Sequence, residues 1–149
     1  MRLIGALVVA LALTVSVAGA AWADDGGRSF STALTGAAEV PGPGDADATG
    51  SASLALNPGQ EEVCFELSWA NVDGTVFAAH IHVGTAGVAG PVVIPLFTGE
   101  AFAGTDSASA CVSADRDLLV EIIQNPQNYY VNVHSDVFPA GAIRGQLSK

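Results

Sequence analysis

Three histidines are the side chains in this chain best suited to chemistry. His80 and His82 stand two apart in Ala78-Ala79-His80-Ile81-His82-Val83. His134 closes the run Tyr129-Tyr130-Val131-Asn132-Val133-His134. On a strand, residues two apart share a face. His80 and His82 therefore point the same way. In the second run Val131 and Val133 take one face, and Tyr130, Asn132 and His134 take the other. If the two strands are neighbours, three imidazoles converge. Neutral imidazole is a ligand for zinc and copper, and three of them with an open position hold a metal that can bind a further group. The competing expectation is that these rings hydrogen-bond loop backbone and carboxylates.

Other residue types offer less. Cys64 and Cys111 are the two cysteines. Each falls on the polar face of a strand-like segment, Val63–Trp69 and Ser109–Ser113, so a surface disulfide between neighbouring strands is expected. A redox pair would need a closer spacing such as C-x-x-C. Arg144 is the sole base in the segment Pro139–Leu147 of a very acidic chain, which predicts an ion pair or bidentate hydrogen bonds, with Glu39 as a candidate partner. Glu39 and Asp136 are also possible extra metal ligands. Asp45-Ala46-Asp47 imitates the start of a calcium loop, but Leu56 stands where that loop needs Glu. Gly84, Gly87 and Gly90 lack the lysine of a phosphate loop and suit tight turns or positive φ. No local nucleophile motif such as G-x-S-x-G is present. An enzyme is therefore less expected than a binding protein.

These residues need strands to position them, and strand signals recur at short spacing. Segments 29–34, 51–56, 62–69, 75–83, 91–97, 107–112, 128–134 and 142–147 alternate or run apolar, between Gly, Pro, Asn and Asp. The run 91–97 is continuously apolar, as expected of a strand buried on both faces or in a barrel core. One stretch, about 115–124, has apolar residues at helical spacing. Ser113 or Asp115 can cap it, and Asn125-Pro126 stops it. The pattern predicts an all-β fold: an antiparallel, Greek-key-like β-sandwich or barrel of about eight strands with one short helix.

The 149 residues carry a formal net charge of −10. That balance argues against nucleic acid as a partner. Arg2 followed by an apolar run and Ala21-Trp22-Ala23 reads as a signal peptide over residues 1–23, cleaved at about Ala23-Asp24. A short tail, 24–28, and one domain, 29–149, follow. The apolar run is shorter than the roughly 20 residues of a spanning helix, so no stable membrane insertion is expected. Without the leader, four basic side chains face fifteen acidic ones, a net charge of −11 (4 − 15).

Four ordered blocks resemble a known family, the CHRD (chordin) domain. They are Leu34-Thr35-Gly36-Ala37-Ala38-Glu39-Val40-Pro41; Ala79-His80-Ile81-His82-Val83-Gly84 with Gly87 and Gly90-Pro91-Val92-Val93; Asn125-Pro126 with Tyr129–Ser135; and Pro139–Leu147. The resemblance implies an all-β extracellular domain and supplies no catalytic residues to carry over. With the leader, the chain looks like a single-domain, secreted, bacterial-type member. The expected function is a non-enzymatic binding or structural module, whose partner is an extracellular or envelope protein or polymer. The alternative is a metal-binding protein, redox-active or metal-scavenging, with copper or zinc on His80, His82 and His134.

Overall fold

The structure is a computed structural model that describes residues 27–99 and 102–149. The leader and most of the short tail lie outside the described residues. Eight strands and one α-helix follow one another: β1 (Arg28–Thr35), β2 (Thr49–Asn57), β3 (Glu62–Ala70), β4 (Val76–Val83), β5 (Val92–Thr98), β6 (Ser107–Ser113), α1 (Arg116–Gln124), β7 (Tyr129–Ser135) and β8 (Ile143–Gln146). Short 3-10 turns occupy Gly36–Ala38 and Pro126–Asn128.

All eight strands form one antiparallel sheet in the order β5-β4-β7-β8-β1-β2-β3-β6. The edge strands β5 and β6 lie against each other, so the sheet curls into a nearly closed barrel. The connections are Greek-key-like: β4 and β5 are skipped before β6 returns beside β3. Alternation drives this arrangement. Along β3, Val63, Phe65, Leu67 and Trp69 point inward and are buried, while Glu66 and Ser68 face solvent. Register with β2 sets Phe65 opposite Leu54 and Leu67 opposite Ala52, both core residues.

The helix forms where its signals place it. Asp115 caps it, its carboxylate accepting from the Asp117 and Leu118 N–H groups at 3.0 Å each. One face buries Leu119 and Ile122 in the core. Pro126 then starts a 3-10 turn that leads into β7.

Two departures from the sequence pattern matter. The apolar run 91–97 is not a doubly buried strand. It forms edge strand β5, in which Val92 and Pro95 are exposed and Ile94, Leu96 and Phe97 are buried. An edge tolerates the missing N–H of Pro95, and its pairing with β4 is irregular at two points. By contrast, all seven residues of β7 are buried, its polar face included. Something other than solvent covers that face.

On the opposite wall, Cys64 of β3 and Cys111 of β6 are direct register partners joined by a disulfide. The bridge sits on the outer face, Cys111 being exposed. It closes a loop with a sequence separation of 47. A loop of that size restricts the unfolded chain by about 4 kcal/mol. Replacing both cysteines by serine is therefore expected to lower stability by about 4 kcal/mol in urea unfolding. Intact mass of the native protein should lie two hydrogens below that of its reduced form. An unchanged unfolding midpoint would show that the bridge stabilises nothing.

Candidate metal centre

The three histidines meet on the outer face of β4 and β7. These strands are hydrogen-bonded neighbours, and register sets His82 opposite Tyr130, His80 opposite Asn132, and Ala78 opposite His134. On the far side of β7, Tyr130 pairs with Gln146 and Asn132 with Arg144 of β8. The intervening residues Ile81, Val131, Val133 and Ile143 point into the barrel and are fully buried. Seven polar or aromatic side chains therefore share one face. The loops 36–45, 84–91 and 136–142 roof it, which explains the burial of β7.

The imidazole centroids lie 4.8 Å apart for His80 and His134, 5.5 Å for His80 and His82, and 6.2 Å for His82 and His134. One nitrogen from each ring falls within 4.8 Å of the others. On two of the rings one nitrogen is tied to the roof. His82 Nδ1 lies 2.8 Å from the Gly90 carbonyl, and His134 Nδ1 lies 3.1 Å from that of Pro139. A carbonyl only accepts, so His82 Nδ1 carries the hydrogen and its neutral Nε2 keeps the lone pair, whereas His134 faces two acceptors, the Pro139 carbonyl at Nδ1 and Asn132 Oδ1 at Nε2, with one hydrogen to give. His134 Nε2 is 3.0 Å from His80 Nδ1 and 2.9 Å from Asn132 Oδ1. His82 Nε2 is buried and has no hydrogen-bond partner. Burial disfavours the imidazolium at all three rings. His80 is pushed down to about 4 by burial and then by the charges of His134 and His82. His82 and His134 are also shifted down, burial being the main cause.

Arg144 supports the His82 ring through Tyr130, and of the two arrangements expected for it the structure shows hydrogen bonds and not the ion pair. Arg144 makes no ion pair with Glu39. Its Nη1 donates to the Val88 carbonyl and its Nη2 to that of Thr85, both at 3.0 Å, and Nη2 also to Gln146 Oε1 at 3.2 Å. The side chain is 2% exposed. Its guanidinium lies 3.4 Å over the Tyr130 ring, whose other neighbour is His82, stacked at 4.8 Å and 12°. The reason is the roof. The 84–91 loop turns carbonyls inward over the sheet, and these must find donors. Arg144 and Gln146, which donates to the Gly84, Gln127 and Tyr129 carbonyls, supply them. The loop lies so close that a Cβ on Gly90 would collide with the Val83 carbonyl oxygen, and Gly87 has φ +79°. Glycine is required at both places for these reasons.

Glu39 stays buried without a salt bridge. Its carboxyl packs against Gly141, where any Cβ would strike it. Burial raises its pKa to about 7, against the opposing pull of Arg144 and hydrogen bonds from the Val40 backbone and the Asn132 side chain. Neither Glu39 nor Asp136 belongs to the histidine cluster. Asp136 accepts from the Thr75 N–H at 2.7 Å, and Asp45 of the calcium-like stretch from the Asp73 N–H at 2.7 Å. Both carboxylates hold turns. A second grouping of possible ligands, Glu62 with Cys64 and Cys111, has its sulfurs in the disulfide. Alternation places Asn132 and Tyr130 on the face of His134 but gives them no role. The carbonyls of Gly90 and Pro139 have no signal in the sequence.

Residues 30–147 match the family model of the CHRD domain, and the chain belongs to that family. No curated protein and no solved structure matches it. Among the described residues, no helix is long and apolar enough to cross a membrane.

Removing the guanidinium should orphan buried carbonyls. Arg144→Ala is expected to cost about 3 kcal/mol or more in urea unfolding. Arg144→Lys should recover only part of this, since an ammonium cannot reproduce the planar fork and the stack. A variant with wild-type stability would refute the role of Arg144 in holding the roof.

Proposed function

We propose that this CHRD domain is an exported binding module whose ligand is a transition-metal ion, zinc or copper, held by His80, His82 and His134. One observation carries the reading. The Gly90 carbonyl fixes the Nδ1–H tautomer of His82 and leaves its Nε2 lone pair buried without a hydrogen-bond partner, in a cluster where one nitrogen from each of the three rings lies within 4.8 Å of the others. A histidine that ligates a metal commonly donates its other N–H to a carbonyl or carboxylate in this way. The donor set suits the borderline ions zinc and copper rather than calcium or magnesium. Neutral rings also need lose no proton to bind.

Export is supported by the leader pattern at residues 1–23 and by the disulfide, which belongs to oxidising compartments. The role proposed is metal capture outside the cytoplasm, beside whatever envelope or extracellular partner the domain serves.

Chelator-treated protein titrated with Zn²⁺ and with Cu²⁺ by calorimetry tests this. The expected result is one ion per chain with a Kd in the micromolar range or tighter. Saturation at a hundred times Kd should add about 2.7 kcal/mol to stability. His82→Ala should abolish binding while the barrel still folds. Wild-type protein that binds neither ion below about millimolar Kd would remove the metal reading.

A further inference from the structure

We propose that Asn132 supplies a fourth donor to the three-histidine site through Oδ1. This rests on the three-histidine reading above and extends it to a residue that no ligand pattern in the sequence marks.

Asn132 lies at the centre of the roofed face, opposite His80 on β4 and Arg144 on β8. It is 2% exposed. Its amide turns Oδ1 toward the imidazoles, 2.9 Å from His134 Nε2. The Pro139 carbonyl and Asn132 Oδ1 compete for the single hydrogen of the neutral His134 ring, so one of these two acceptors is left without it. The lone pair of His82 Nε2 lies in the same cluster with no donor of its own. His80 Nδ1 and His134 Nε2, 3.0 Å apart, share at most one hydrogen between them. A group of acceptors gathered around one point is the arrangement that a cation satisfies.

The spacing fits as well. Donors about 2.0–2.1 Å from a zinc ion at the corners of a tetrahedron stand about 3.3 Å apart. His80 Nδ1 and Asn132 Oδ1 stand 3.0 and 2.9 Å from His134 Nε2. Glu39 does not reach the cluster itself.

The test uses the full mature chain, with Zn²⁺ affinity read by competition against a chromophoric chelator and Co²⁺ read by its visible absorption. Asn132→Ala is expected to weaken Zn²⁺ binding tenfold or more, on the order seen when a site loses a supporting group. Its Co²⁺ band should shift, because a water replaces the amide oxygen. Asn132→Asp, which offers oxygen in either orientation, should bind at least as tightly as wild type. Equal Zn²⁺ affinities and superimposable Co²⁺ spectra for wild type and Asn132→Ala would overturn the proposal while leaving the three-histidine site standing. If Asn132→Ala does not fold, Asn132→Asp decides: binding more than tenfold weaker than wild type overturns the proposal. Wild-type protein that binds no Zn²⁺ overturns both readings.

Discussion

A guanidinium buried without a carboxylate is an expensive thing to fold, and the outer face of this barrel is organised around one. The charge of Arg144 is met by two loop carbonyls, a glutamine oxygen and the face of Tyr130. Each of these alone is a weak partner for an ion. Together they give it a complete polar shell in a place that water does not reach. The loop carbonyls gain donors in the same exchange, so neither side is left unsatisfied. Once the 84–91 loop is fixed, the Gly90 carbonyl is fixed with it, and that carbonyl sets the tautomer of His82. A packing problem at β8 thus determines which nitrogen of a histidine two strands away carries a lone pair.

The barrel consequently has two cores of different kinds. The inner one is apolar and non-directional, built from Val63, Phe65, Leu67, Ile81, Val131 and Ile143. Small volume-conserving changes there are tolerated. The outer one, under the roof, is polar and directional, and nearly every member has a named partner. Among the described residues, the two exceptions among buried side-chain atoms are His82 Nε2 and Glu39 Oε1. A network this well satisfied elsewhere makes its two gaps informative.

The inner core was legible in the sequence because alternation is local. Val63 to Trp69 states its own inward face, Asp115 its cap, and Pro126 its helix stop. The facing of Cys64 and Cys111 followed from the same two-residue period. The shared face of His80, His82 and His134 was legible too, since it needs only alternation and the adjacency of two strands. The roof was not. The burial of Tyr130, Asn132 and His134 depends on loops from three distant parts of the chain, and a backbone carbonyl has no letter in a sequence. The expected Glu39–Arg144 ion pair failed for that reason: opposite charges can be read from composition, whereas competing carbonyls cannot. The run 91–97 misled because hydrophobicity reports burial in general and not which edge of a sheet a strand occupies.

The disulfide gives the barrel a mechanical asymmetry. Of the two sheet edges, β6 is fastened covalently to β3, whereas β5 is held to β4 by an irregular hydrogen-bond ladder interrupted by Pro95. A force that pries open the β5–β6 seam therefore meets a locked side and an unlocked one. The side that yields is β5, and the strand it peels from is the one that carries His80 and His82. Oxidising conditions harden the wall remote from the histidines and leave the compliance of the molecule concentrated beside them.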